Sequence, residues 1–203
     1  MTLQNRVLPT GEIVADAGRG TLTGNRGILH QEGRVLGTAR WPHKAWICCA
    51  LDWQDRKREV MTGRNWTELF FLDEAVAFAA GHRPCGYCRR ADYLRFVDAW
   101  AKACGARAKA PQIDAVLHPA RVGRDRVQVT HRADVASLPR GAFVRHNDLP
   151  HLVTDYRLYP YQTTGYGAPC PRPRCGHTEV LTPAPMVKVM QAGYTPTIHP
   201  SAV

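Results

Sequence analysis

The chain has 203 residues, of which 44% are hydrophobic and 22% charged, which suits one medium domain with its own core. No apolar run approaches the roughly 18 residues of a membrane span. The opening MTLQNRVLPTGE has no apolar h-region, so a cytoplasmic protein with no secretory signal and no membrane partner is expected. Twenty-seven Lys and Arg oppose 17 acids, and the formal charge of +10 favours nucleic acid or another phosphorylated or anionic ligand as partner.

Residues 1–44 are rich in Gly and polar groups, with short apolar pieces such as Arg6-Val7-Leu8 and Gly27-Ile28-Leu29, and read as short strands and loops. Within them Gly18–His30 carries glycines that would let the backbone approach a ligand, with Arg19, Asn25 and Arg26 placed to hold a phosphate. A glycine-rich hairpin reads equally well. The Walker lysine and the GxGxxG context are both missing, so a nucleotide-binding fold is not expected.

Trp46–Asp52 reads as a strand, Arg58–Met61 as its hairpin partner with Trp53–Lys57 as the turn, and Thr67–Phe71 as a third strand. Leu72-Asp73-Glu74 opens a helix with acids in its first turn, and Gly81 sits where a terminating glycine belongs. A second helix is expected over about Arg90–Cys104, where Tyr93, Phe96, Val97, Trp100 and Cys104 recur at helical spacing before Gly105. A third covers Gln112–Leu117, with Pro119 ending it.

From Val127 the texture is β again. Val127-Gln128-Val129 alternates, Ala142–Arg145 and His151–Val153 flank a hairpin loop at His146-Asn147-Asp148, and Tyr156–Tyr159 adds an edge strand. Thr182-Pro183 reads as an N-cap followed by proline at the first helical position, before a short helix over Pro185–Ala192. The fold class expected is α+β, a single domain over residues 1–203. N-terminal β-hairpins come first, then a zinc-knuckle region at about 46–104 with central helices. A β subregion with a short helix follows at about 125–203.

The cysteines carry the most chemistry. There are seven, an odd number, which argues for metal ligation and buried thiols over a disulfide framework in a reducing compartment. Cys85 and Cys88 are two residues apart around Gly86, a spacing that can point both sulfurs at one ion. Cys48 and Cys49 are the best source of a third ligand. Adjacent strand residues face opposite ways, so only one can reach the site. Cys49 is favoured, since it shares a face with Ile47 and Leu51.

Residues 70–90, FFLDEAVAFAAGHRPCGYCRR, resemble the metal-binding, phosphotriester-repair domain of the adaptive-response DNA methyltransferase (Ada) family. Glu74, Ala75, Gly81, Arg83, Pro84, Cys85 and Cys88 match that pattern in order, and His82 takes the place of an aromatic residue. That family holds zinc with four cysteines, one of which takes a methyl group from a DNA phosphotriester. The resemblance therefore implies Zn2+ at Cys85 and Cys88 and a DNA-facing site. Its first cysteine pair is Cys-x-x-x-Cys, whereas Cys48 and Cys49 are adjacent, and no helix-turn-helix or alkyltransferase part is matched.

The fourth ligand is open among His30, His82, His118 and a water, with His30 or His118 preferred. Cys170, Cys175 and His177 form a second cluster whose spacing can chelate a metal or belong to an exposed loop. Asp114, His118 and Arg121 fall at helical spacing, so the carboxylate could orient His118 for acid–base work while Arg121 holds a phosphate. Glu68, beside Phe70-Phe71, needs a partner if buried and could act as a general base. His30, Glu68, Asp114 and His118 are thus the catalytic candidates if the chain is a zinc-dependent hydrolase or transferase acting on a small anion. His199 reads as a tail residue that could fold back to the site. Trp41, Trp46, Trp53, Trp66 and Tyr161 could offer stacking surfaces among the basic residues. Association with nucleic acid, DNA foremost, ranks ahead of the enzyme reading.

Overall fold

The computed structural model describes residues 2–55 and 59–202. The first half runs β1 (Gln4–Val7), β2 (Ile13–Ala15), β3 (Leu22–Asn25), β4 (His30–Gln31), β5 (Val35–Leu36), β6 (Ile47–Ala50), β7 (Leu69–Phe71), α1 (Glu74–Ala79), β8 (Arg83–Pro84), α2 (Arg90–Cys104) and α3 (Ala110–Arg121). The second half runs β9 (His131–Asp134), β10 (Phe143–His146), β11 (Leu149–Val153), β12 (Arg157–Gln162), β13 (Gly165–Tyr166), β14 (Cys170–Pro171), β15 (His177–Val180) and α4 (Ala184–Gln191). This is the α+β architecture expected, with N-terminal strands, central helices and a C-terminal strand group closed by a short helix. No helix among the described residues is long and apolar enough to cross a membrane.

The N-terminal sheet has the order β2-β1-β7-β3-β6-β8, antiparallel except for the parallel pairs β1–β7 and β6–β8. Its central strand β3 explains part of the glycine-rich segment. A Cβ on Gly24 would lie 2.2 Å from the Ile47 carbonyl, and one on Gly20 would lie 2.2 Å from the Phe71 carbonyl. Those glycines allow neighbouring backbone, not a ligand, to come close.

Among the described residues no strand follows β6 as its hairpin partner. Arg56, Lys57 and Arg58 lie outside the described residues, and Glu59–Met61 are turn and coil. Met61 adopts a left-handed φ of 57° and donates its N–H to Glu68 Oε2 at 2.8 Å, which commits the backbone to a turn. The partners of β6 are instead β3 and β8.

Helix α1 is short and buried along its whole length, and it joins two cores. Phe78 packs with α2, α3, α4 and the C-terminal sheet, while Ala75, Val76, Ala77 and Ala79 pack with the N-terminal sheet. Asp73 caps it, accepting from the Val76 N–H at 2.9 Å. At its end the Gly81 N–H reaches the Phe78 carbonyl at 2.9 Å and the His82 N–H reaches that of Ala77 at 2.8 Å. With Gly81 at φ +80° this is a Schellman motif, and it aims the chain directly into β8.

The first-turn acids do more than favour the dipole. Asp73 Oδ2 accepts from Tyr166 Oη at 2.7 Å and the His199 N–H at 2.9 Å. Glu74 accepts from Tyr194 Oη at 2.7 Å, the Thr197 N–H at 2.9 Å and Arg89 Nη2 at 2.7 Å. The C-terminal segment is therefore fastened to α1, and His199 serves there through its backbone.

Helix α2 has the expected bounds, ending on Gly105 in the left-handed region. Helix α3 is longer than expected. Pro119 lies within it and removes only one N–H, near the end, while Val122 N still bonds to the His118 carbonyl at 3.3 Å. Val127–Val129 makes only an isolated bridge, Val122 to Gln128, and the Gln128 side chain turns inward to the carbonyls of Pro9, Ala79 and Leu181.

In the C-terminal sheet the hairpin turn narrows to Asn147-Asp148, both with positive φ, as a two-residue turn requires. Strand β12 is interior, paired with β11 on one side and with β13 and β14 on the other. Thr182 does not cap α4. Its hydroxyl accepts the Phe143 N–H at 2.8 Å, and Pro183 occupies the cap position.

Candidate metal centre

Strand alternation decides which of the adjacent cysteines faces the knuckle. Cys48 points into the core and is wholly buried, and Cys49 turns the other way. The parallel pairing of β6 with β8 then draws the next loop alongside, with the Cys85 N–H donating to the Cys48 carbonyl at 2.9 Å. The result is one group in which the sulfurs of Cys49, Cys85 and Cys88 lie within 4.8 Å of one another. Zn–S bonds of about 2.3 Å at tetrahedral angles would set sulfurs about 3.8 Å apart, so only a small contraction is needed for three thiolates to hold one ion.

The surroundings favour one thiolate among the three, at Cys85. Cys88 Sγ receives the Ala50 N–H and Cys85 Sγ the Tyr87 N–H, each at 3.4 Å. Hydrogen bonds from Cys49 and Cys88 hold the Cys85 thiol well below the usual range, while the same bond to Cys85 pushes Cys49 up. Cys88 is pushed up as well, so the three thiols share protons that a binding cation would displace to solvent. Cys48 stays a thiol, since burial raises it above all other effects, with Arg89 Nη1 donating to its sulfur at 3.4 Å. Arg89 also grips Glu74 and Asp92, each at 2.7 Å, tying the loop to α1 and α2. Gly86 keeps φ outside the left-handed region, and a Cβ there would meet the Tyr93 ring at an ordinary contact distance of 3.4 Å, so neither backbone nor packing requires glycine for this turn.

Among the described residues no histidine or carboxylate joins the three sulfurs. His30, expected as ligand and catalytic group, sits elsewhere, with Nδ1 2.8 Å from Thr67 Oγ1 and Nε2 3.3 Å from the Gly63 carbonyl. Asp114 is not free for acid–base work either. It forms a bidentate pair with Arg83, at 2.8 and 2.7 Å, both side chains buried. Glu68 is buried and turned to the Met61 amide. His118 stands edge-on to Trp41 and Trp46 with Nδ1 3.2 Å from Arg121 Nη2, and burial lowers its pKa. His82 is core packing in the aromatic position, its ring 4.6 Å from that of Phe71 and 5.3 Å from that of Trp46. Cys170, Cys175 and His177 do not form a three-ligand group; Cys170 packs on the helical core, and Cys175 and His177 are exposed.

Of the phosphate candidates, Arg19 is exposed, and Asn25 is buried with Oδ1 accepting the Gly27 N–H at 3.2 Å. Arg26 and Arg121, distant in sequence, meet at Trp46, each guanidinium carbon 3.9 Å from the ring centroid. Sequence reasoning passed over Arg83 and Arg89 as structural ties, and Arg40 as a neighbour of this pair. The signal available was local: Arg83 and Arg89 bracket the knuckle, and Arg40-Trp41-Pro42-His43-Lys44-Ala45-Trp46 interleaves cations with aromatics. No family model, curated protein or solved structure matches this chain.

Proposed function

We propose that the chain is a zinc–thiolate protein that associates with nucleic acid, DNA foremost. The convergence of Cys49, Cys85 and Cys88 from two adjoining elements carries the metal half of this reading. An all-sulfur set suits Zn2+ over the hard cations, which take oxygen. The resemblance of residues 70–90 to a zinc domain supports the same ion. Nucleic acid is supported by the +10 charge and by the aromatics beside the thiols. Tyr87, between the two knuckle cysteines, is 61% exposed and meets Trp53 edge-on at 5.8 Å, an arrangement on which a base could stack. The small-molecule zinc enzyme is less favoured, because Asp114 is neutralised by Arg83 and His30 is engaged by Thr67 and Gly63.

Elemental analysis of the purified protein tests the metal: about one zinc per chain is expected. Cys49→Ser, Cys85→Ser and Cys88→Ser should each lower the content, and Cys48→Ser should keep it. Zinc indifferent to Cys85→Ser would overturn the assignment. Fluorescence anisotropy with labelled DNA tests the partner. Affinity should fall linearly in log–log form with salt, at a slope of about −0.9 per phosphate neutralised. No binding at about 50 mM salt would remove nucleic acid from the reading.

A further inference from the structure

A second built site stands at the other end of the strands that carry the thiols. Arg26 and Arg121 are only 3% and 2% exposed, and Trp46 between them is 2% exposed. A buried guanidinium normally has a carboxylate beside it. Among the described residues neither arginine forms an ion pair with an acid. Arg26 donates Nε to His82 Nε2 at 3.3 Å and Nη2 to the Gly11 carbonyl at 3.1 Å. Arg121 donates Nη1 to the Gly81 carbonyl at 2.7 Å and Nη2 to the Lys44 carbonyl at 2.6 Å, and its Nε is buried without a partner. His82 cannot supply compensating charge. Burial, reinforced by the two arginines, holds its pKa well below the usual value, so it is neutral and accepts through Nε2.

Both arginines line a cleft of about 780 Å³ whose wall also carries Arg40, Arg126, Trp41 and Trp46. The acids on that wall are Glu12 and Glu179. Glu179 is paired with Arg145 at 2.9 Å, and Glu12 accepts from the Thr10 hydroxyl at 3.0 Å. The balance of the cleft is cationic, and its floor is a pair of buried charges; Arg121 also feels the Asp114 carboxylate, but that group is bonded to Arg83. Each of the two floor arginines is held down to about 9, mainly by desolvation, and so both remain charged at neutral pH. Arg26 Nη1 makes no hydrogen bond to a described residue. An oxyanion entering the cleft would meet a guanidinium already stripped of water and oriented by the indole, the arrangement in which charge-assisted bonds are strongest.

We infer that the Arg26–Trp46–Arg121 cleft is a binding site for a single phosphate group, free or carried by a nucleotide. The inference stands apart from the metal reading, since no thiol takes part. It also differs from general polyanion attraction in demanding one saturable site.

Isothermal titration calorimetry of the full chain at low ionic strength tests it, with inorganic phosphate, adenosine 5′-monophosphate and adenosine as probes. Phosphate should bind with one site per chain and raise the melting temperature above that in chloride of equal ionic strength. Adenosine 5′-monophosphate binding more tightly than phosphate would identify a nucleotide as the ligand; equal affinities would identify the phosphate alone. Arg26→Gln should weaken either by about ten- to hundredfold. Should that variant fail to fold, Arg40→Ala with Arg126→Ala, a half-buried and an exposed residue of the same cleft wall, should still weaken binding severalfold. Absence of saturable phosphate binding, adenosine binding as well as its monophosphate, or full affinity in a folded arginine variant would each overturn the inference. Zinc content and the salt slope on DNA are separate measurements, so failure here and failure of the proposed function are distinguishable.

Discussion

Replacing Asp114 by Ala separates a structural carboxylate from a catalytic one. Asp114 and Arg83 share two hydrogen bonds of 2.8 and 2.7 Å, and their side chains are 5% and 7% exposed. Removing one partner of such a pair strands the other charge in the interior, which costs about 3–5 kcal/mol. That is a large share of the ~5–15 kcal/mol by which domains are stable. The damage should also be local. Arg83 begins the strand that ends one residue before Cys85, so loosening it from α3 should lower zinc retention as well. Asp114→Asn keeps one acceptor and should lose less, about 1.5–3 kcal/mol. The double variant Arg83→Met, Asp114→Leu removes both charges and should recover most of the stability. Urea unfolding of the four proteins, with zinc measured in parallel, reads each of these. A loss below about 1 kcal/mol in Asp114→Ala, or a double variant no better than the single, would refute the reasoning.

Other expectations follow from the same packing. Gly24→Ala would set a methyl 2.2 Å from the Ile47 carbonyl and force β3 from β6, so a loss of about 1–3 kcal/mol or more in chemical denaturation is expected, and a neutral outcome would mean the strands are less closely seated. His82 is held neutral by burial and by Arg26 and Arg121, so it binds its proton more weakly folded than unfolded. Its contribution is therefore complete above the unfolded value near 6.5 and is lost as pH falls below it, by up to about 1.4 kcal/mol per pH unit. His82→Gln should flatten the slope of the urea midpoint between about pH 6.5 and 5, and an unchanged slope would exclude His82 as its source. Tyr166→Phe, which deletes the hydroxyl bound to Asp73 at 2.7 Å, should cost about 1.5–3 kcal/mol by the same assay.

Local chemistry made part of this protein legible from its residues alone. The 3.6-residue spacing of Tyr93, Phe96, Val97 and Trp100 and the following Gly105 specify α2 whatever surrounds it. Gly81 must end α1, because only a residue tolerant of positive φ can close the Schellman turn. The period-two rule of strands separates Cys48 from Cys49 before any partner is known, and the short Cys85–Cys88 spacing needs only its own loop.

What lay beyond reach depends on elements far apart in the chain. The Glu59–Met61 stretch looks extended by composition, yet Glu68 captures its backbone and β6 finds its neighbours in β3 and β8. Asp114 reads as a helix-surface carboxylate until α3 docks on β8, where Arg83 neutralises it. Arg26 and Arg121 are nearly half the chain apart, and only the packing of β3, β6 and α3 brings both to Trp46. Periodicity and turn chemistry act over a few residues and can be read directly. Desolvation, ion pairing and the convergence of side chains act through space, and only the folded chain sets those distances.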